Sequence, residues 1–294
     1  MVGMYGPAKE EWEEQGYCSD EAWLKAGELG LFALCVPEEY GGAGLVFSYS
    51  ALIMEEVAKY QIASPEMSMH SDIVAPYIVK HGSEYLKQRY LPKMVTGEII
   101  GSLAMTEPST GSDVQAIKTR AIKDGNSYKL SGQKTFITNG QHANLIIVAA
   151  KTNPTEGSKG TSLVVVETDG ADGFARGRNL DKIGAHAADT SELFFDNVEI
   201  PPENILGGIE NQGFYQMMQQ LPQERLLQCV RASSALEAAL EWTVTHVTER
   251  KAFGKELVEF QAVQMKLAEK QDAADKAMVE IEKALASASR WRSP

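Results

Sequence analysis

The spacing of apolar residues changes near Glu98 and changes back near Gly207, and this constrains the fold more than any other feature of the chain. Within that window lie the runs LIIVAA (Leu145–Ala150), TSLVVVE (Thr161–Glu167) and SELFFDNVEI (Ser191–Ile200). Their β-branched and aromatic content is that of strands. Asp124–Gly125 sits between alternating segments in AIKDGNSYKLSGQK, a strong hairpin signal. Strands and helices do not alternate there, which argues against a doubly wound parallel sheet. The window predicts an antiparallel β domain, a small barrel.

Both flanks read as helical. EEWEEQ, DEAWLKAGELG and YSALIMEEVAKYQ are rich in helix formers. In the second, Trp23, Leu24 and Leu29 fall near one stripe, and Gly30 stands where a helix would stop. VPEEYGGAG (Val36–Gly44) is a turn-rich loop, and Asp72–Leu91 is a helical stretch interrupted at Gly82. Beyond Gly213, Leu236, Leu240, Val244 and Val247 recur at helical spacing, as do Met278, Ile281 and Leu285. Such stripes require partners that bury them. The expected class is α+β multidomain. A helical domain spans 1–98, a β domain 99–208 and a second helical region 209–294, where the chain ends at SRWRSP directly after a helix.

Composition excludes several function classes. The 28 basic and 40 acidic residues give a formal charge of -12. General nucleic-acid binding needs clustered cations to neutralise phosphates, so it is disfavoured. Cys18, Cys35 and Cys229 fit neither a paired metal site nor a disulfide scaffold, and the five histidines lack ligand spacing. No metal site is expected. No run approaches 18 apolar residues, so no transmembrane segment is expected. The acidic N-terminal stretch resembles neither a secretory signal nor a transit peptide, which reads as a soluble intracellular protein.

Four segments carry chemistry. LAMTEPSTGSD (Leu103–Asp113) leaves a strand and enters a loop of hydroxyls and glycine. It suits either an anion-holding loop or an ordinary Ser/Thr-rich turn. KTFITNG (Lys134–Gly140) sets the flat Phe136 beside Thr138 and ends on an Asn-Gly turn. In LPQERLL, Pro222 suits the first turn of a helix, placing Glu224 at the start of that helix as a dipole-favoured surface carboxylate or a catalytic base. In ERKAFG, Arg250 and Lys251 suit a helix C-terminus.

Taken together and in this order, LAMTEPSTGSD, KTFITNG, LPQERLL and ERKAFGKELVEFQ resemble the acyl-CoA dehydrogenase family. EEYGGAG, HSDIVAPYIVKHGSEYLKQRYLP and NILGGIENQGF extend the likeness to about residue 285, and LPQERLL and HSDIVAPYI are most similar to the long-chain type. The resemblance implies an N-terminal helical domain, a middle β domain and a C-terminal four-helix bundle, of which about two helices are present. It implies FAD as cofactor, acyl-CoA as substrate, electron-transferring flavoprotein as electron acceptor, and a homodimer or homotetramer. Leu103, Met105 and Thr106 match flavin-lining positions, and Ser112 matches a serine shared by FAD and the acyl-CoA phosphates. Phe136 stands where many relatives place a ring-packing tryptophan, and Thr138 matches a flavin-bonded threonine. Arg250, Phe253 and Gln261 match residues touching the neighbouring subunit's FAD. Arg225 matches an arginine beside the substrate cleft. Ser109 replaces the usual glycine, which matters if that position needs a positive φ.

The implied reaction is α,β-dehydrogenation of an acyl-CoA thioester to the trans-2-enoyl-CoA, as in fatty acid β-oxidation. A carboxylate takes the α-proton while the β-hydrogen leaves as hydride. The long-chain and isovaleryl types place the base where this chain has Glu224. Other members place it on a late loop, which this C-terminally truncated sequence does not contain. A related acyl-CoA oxidase, or an inactive homologue serving as a dimerisation module, is the alternative. The resemblance implies the cytoplasm for a bacterial source and the mitochondrial matrix for a eukaryotic one.

Overall fold

The computed structural model describes residues 5–288; the first four residues and the terminal run SRWRSP lie outside it. The chain divides into two compact units, one of residues up to Leu45 with Ala63–Pro222, the other of Val46–Ile62 with Gln223 onward.

The first unit opens with two short helices, α1 (Lys9–Gln15) and α2 (Asp20–Glu28). Ser19 caps α2 by accepting the Ala22 N–H. Trp23, Ala22 and Ala26 are its buried face, whereas Leu24 and Leu29 are exposed, so the stripe read from the sequence holds only at Trp23. A π-helical turn (Met69–Val74) runs into α4 (Ala75–His81), and α5 (Glu84–Thr96) follows after Gly82. The intervening α3 (Phe47–Lys59) belongs to the second unit.

Seven strands form the sheet of the first unit: β1 (Gly101–Ala104), β2 (Arg120–Asp124), β3 (Ser127–Thr138), β4 (Leu145–Lys151), β5 (Thr161–Glu167), β6 (Phe174–Asn179) and β7 (Thr190–Ile200). Most pairings are antiparallel, including the β2–β3 hairpin expected at Asp124–Gly125. Two are parallel: β1 with β4, and β2 with β4 at Arg120–Lys151. The sheet curls, with register shifts in β3 between Leu130 and Gly132 and between Lys134 and Ile137. It does not close, so the expected barrel is corrected to an open sheet. The physical reason lies at its ends. The outer edge of β5 is taken by chain rather than by β6: Ile205 bridges Val164, and the Leu206 N–H donates to the Leu163 carbonyl. On the other side β6 carries Arg176 and Arg178, charges that discourage further pairing.

The β4 and β5 strands are nearly all buried, as their continuous apolar runs require. His70 ties the π-helical turn to this sheet. Its Nδ1 accepts the Gly101 N–H at 3.0 Å, so Nε2 carries the proton and donates to the Met94 carbonyl at 2.9 Å.

Two long helices follow, α6 (Gly213–Glu249) and α7 (Gln261–Ala288). The start of α6 needs glycine, because a Cβ on Gly213 would lie 2.6 Å from the Ser162 carbonyl carbon. Helix α6 runs unbroken through Pro222, so Pro222 does not begin a helix. The second unit contains α3, the remainder of α6, a small hairpin of β8 (Lys251–Ala252) and β9 (Lys255–Glu256), and α7. Leu240 and Val247 of the predicted stripe are buried, while Val244 is exposed.

Candidate functional site

The site residues fall into two groups, one in each compact unit. In the first, β1 ends at Ala104 and the chain runs on beside the last residues of β3. Three bonds hold this juxtaposition. The Thr135 N–H donates to the Thr106 carbonyl at 3.0 Å, Lys134 Nζ donates to the Met105 carbonyl at 2.9 Å, and Ser102 Oγ donates to the Thr138 carbonyl at 2.6 Å. Leu103, Met105, Thr106, Phe136 and Thr138 are thereby brought together. Leu103 is buried, Met105, Thr106 and Thr138 are half-buried, and Phe136 is 68% exposed.

Phe136 lies inside the β3 register shift with φ of 59°. A bulky residue at positive φ is strained by about 1–2 kcal/mol, and strain of this kind gathers at functional positions. Here it turns an aromatic ring outward from a strand whose neighbours Thr135 and Ile137 are buried.

The loop beyond Thr106 turns tightly. The Glu107 N–H donates to the Thr110 carbonyl and the Thr110 N–H returns to the Glu107 carbonyl, at 2.8 and 3.0 Å. Pro108 and Ser109 are the corner residues, and Ser109 is not among the residues with positive φ, so serine fits there. Ser112 is exposed on the same loop. A Cβ on Gly111 would meet only Thr106 Cγ2, at 3.8 Å, so internal packing does not demand this glycine. A flat exposed ring, hydroxyls and a glycine free on its outer side form a donor set that fits a planar ring bearing phosphates. FAD, implied by the resemblance, is such a group.

The second group begins with Glu224. It sits in the fourth turn of α6, not at a helix start, and is 9% exposed. The reading of a solvated first-turn carboxylate is therefore overturned. Arg225 beside it is exposed. Arg250 follows the last residue of α6, and its N–H donates to the His246 carbonyl at 2.9 Å. The ERKAFG segment does more than cap a helix, because Ala252 and Lys255 pair across a two-residue turn of Phe253 and Gly254. Both turn residues have positive φ, 53° and 79°, as the favoured hairpin turn requires. Glycine satisfies this without strain; Phe253 does not, and it is 96% exposed. Gln261 is the first residue of α7 and exposed.

The sequence reading missed the buried pair between Glu107 and Lys134, 2.9 Å apart with side chains 4% and 0% exposed. Both residues stand inside the segments singled out for chemistry. No local signal marks it, since Glu107 lies between Thr106 and Pro108 and Lys134 between Gln133 and Thr135.

Comparison with known proteins agrees with this architecture. The family model "Acyl-CoA dehydrogenase, N-terminal domain" matches residues 4–98, the middle-domain model 102–198 and the C-terminal-domain model 211–290. The long-chain specific acyl-CoA dehydrogenase, mitochondrial, of Sus scrofa is 48% identical over 265 residues, covering 90% of this chain and 61% of that protein. The isovaleryl-CoA dehydrogenase, mitochondrial, of Oryza sativa subsp. japonica is 40% identical over 251 residues, covering 84% of this chain and 60% of its own length. The crystal structure of acyl-CoA dehydrogenase from Geobacillus kaustophilus superposes with a TM-score of 0.94 at 44% identity, covering 98% of this chain and 76% of that one. The chain thus spans about 61% of the length of the curated long-chain relatives it matches. It belongs to the acyl-CoA dehydrogenase family.

Proposed function

We propose that this chain carries the greater part of an FAD-dependent acyl-CoA dehydrogenase that converts acyl-CoA thioesters to trans-2-enoyl-CoA and passes electrons to electron-transferring flavoprotein. The observation that carries the reading is Phe136, an aromatic ring held outward at strained φ beside Met105, Thr106 and Thr138. Folded protein has no internal use for such a ring, whereas an isoalloxazine stacked on it does.

In this proposal Leu103, Met105, Thr106, Phe136 and Thr138 hold the flavin ring, and Ser112 bonds a phosphate. Arg250, Phe253 and Gln261 serve the FAD of a neighbouring subunit in a homodimer or homotetramer. FAD, when bound, supplies the hydride acceptor. Glu224 takes the α-proton. It is a buried carboxylate, the type of group that can take such a proton. Arg225 borders the cleft that admits the thioester. The segments 1–98, 99–208 and 209–294 are the functional divisions. The relatives named long-chain and isovaleryl bracket the acyl groups to be tried, with β-oxidation in the mitochondrial matrix or the bacterial cytoplasm as the setting.

The test is to incubate the purified chain with FAD, dialyse extensively and read the flavin-to-protein ratio and spectrum. Anaerobic addition of acyl-CoA thioesters of increasing chain length should then bleach the flavin. Ser112→Ala and Arg250→Ala should each lower flavin retention by about tenfold, the worth of a bond to a charged phosphate, with helix content unchanged. A protein that retains no flavin and bleaches with no thioester would reject the proposal. Unchanged retention in both variants would reject the assignment of these two residues.

A further inference from the structure

We infer that Lys134 and Glu107 are positioning residues that lock the loop after β1 to the bulge of β3, and so fix the surface on which the flavin would rest. This inference rests on the reading given under Proposed function.

Each polar atom of the pair is hydrogen-bonded. Lys134 Nζ donates to Glu107 Oε1 and to the Met105 carbonyl, both at 2.9 Å. Glu107 Oε1 also accepts the Thr119 N–H at 2.9 Å, and Oε2 accepts the Lys118 N–H at 2.7 Å. One carboxylate therefore fastens the start of the loop to the chain entering β2, and one ammonium fastens the loop's first residues to β3. The lysine is the last residue before the register shift that contains Phe136, and the next residue, Thr135, donates its N–H to the Thr106 carbonyl. Remove the ammonium, and Met105 and Thr106 are held to the bulge by a single backbone bond.

A simple packing role does not require charges here. Replacing a buried ion pair by apolar side chains of similar volume is commonly neutral or stabilising, so such a pair is a poor device for stability alone. It is a good device for fixing geometry, because charged hydrogen bonds are directional and costly to break. The electrostatics agree. Burial pushes the Lys134 ammonium down to about 8, against the pull of Glu107, while Lys151 adds a smaller push in the same direction. Burial also raises Glu107, but the Lys134 charge and the bonds from Lys134, Thr119 and Lys118 outweigh it and hold this carboxyl below its usual range.

The experiment uses the chain as it stands, with Lys134→Met and the doubly neutral Glu107→Gln/Lys134→Met. The single variant strands a buried carboxylate and is the harsher test of folding; the double variant removes both charges and keeps one acceptor oxygen, enough for one of the Lys118 and Thr119 amides, while the other amide faces the new NH2 group. Hydrogen exchange read by mass spectrometry follows the amides of Lys118, Thr119 and Thr135, with those of β4 and β5 as the internal reference. Flavin retention is measured on the same preparations. In the double variant, exchange at Thr135 should quicken about ten- to a hundredfold while β4 and β5 keep their protection, and flavin should dissociate more readily by a similar factor. Wild-type exchange at Thr135 in a folded double variant would show that the pair does not hold the loop. A loosened loop with undiminished flavin retention would show that the pair is merely structural. If the unsubstituted chain itself retains no flavin, the functional reading fails, and the exchange measurement alone decides whether the pair is a lock.

Discussion

At the scale of residues, the informative positions are those whose conformation works against stability. Phe136 and Phe253 both hold positive φ and both are largely exposed, at 68% and 96%. Sequence carries no direct signal for φ, and only the Gly254 after Phe253 hints at a hairpin turn. The residue types of the site were legible, because hydroxyls, glycine and an aromatic in fixed order form recognisable segments. Their strain was not. The structural consequence is testable in the chain without ligand. Phe253→Asn replaces a residue that resists left-handed φ by one that tolerates it, and so little of the ring is covered that burial loss is small. Stability to urea should rise by about 1 kcal/mol. An unchanged or lower midpoint would show that the Phe253 ring contributes packing, for example through Phe260, whose ring centroid lies 6.3 Å away. For Glu224, the helix start inferred from Pro222 was wrong because α6 begins earlier, at Gly213, and accepts the proline within it. Glu224→Gln keeps size and most hydrogen bonding. In a preparation that binds both flavin and acyl-CoA, bleaching should slow by about 10²–10⁴-fold. Bleaching at the original rate with both ligands bound would place the base elsewhere.

At the scale of elements, the hairpin of β2 and β3 and the buried strands β4 and β5 were legible. Turn residues and apolar runs are local signals. Closure of the sheet was not, because it depends on which segment covers the β5 edge, and that segment, Asn204–Leu206, lies far along the chain, beyond β6 and β7. The same is true of His70, which joins the π-helical turn, α5 and β1 through two hydrogen bonds. Its ring is fully buried against Trp23 and Phe32, at centroid distances of 5.7 and 4.9 Å. Burial pushes its pKa down to about 4, the Met94 carbonyl pulling only weakly the other way. The unfolded chain therefore binds a proton at this residue over a range in which the folded protein does not. Stability from this histidine is complete above the unfolded value, near 6.5, and is lost as pH falls toward 4. Between pH 7 and 5 the loss should be about 2 kcal/mol. Urea midpoints measured at both pH values, for the native chain and for His70→Gln, give the test. The variant is expected to be weaker at pH 7 but to lose less on acidification. Equal losses in both would show that His70 does not set the slope.

At the scale of the whole molecule, the two compact units differ in how much they bury, and this predicts how the chain comes apart. The first unit holds the continuous core of β4 and β5, with Trp23, Tyr77, Tyr90 and Leu130 fully or nearly fully buried. In the second, the 28-residue α7 buries only Ala274 and Ile281. Tyr49, Leu52, Trp242, Val244, Met265 and Val279 of the same unit are exposed, between 45% and 66%. Helical stability in water comes mainly from packing an apolar face rather than from propensity, so α7 rests on little. Regions with few buried apolar contacts open at lower free energy than the core. Heating should therefore melt the second unit first and give two transitions instead of one. On the proposed function this order matters, because Arg250, Phe253 and Gln261 lie in the weaker unit, and Met105, Thr106, Phe136 and Thr138 lie in the stronger one. A partly melted protein would keep the first-unit group folded while losing the other. Temperature-ramped hydrogen exchange resolves the two by peptide. Amides of α7 should exchange freely at a temperature where those of β4 and β5 remain protected. Far-UV helical signal should likewise fall before the fluorescence of Trp12 and Trp23 shifts, with Trp242→Phe and Trp291→Phe used to remove the other two tryptophans. Coincident loss of protection in α7 and β4, with a single calorimetric transition of matching van't Hoff enthalpy, would show that the sparse core of the second unit is stabilised as strongly as the sheet and that the chain unfolds as one body.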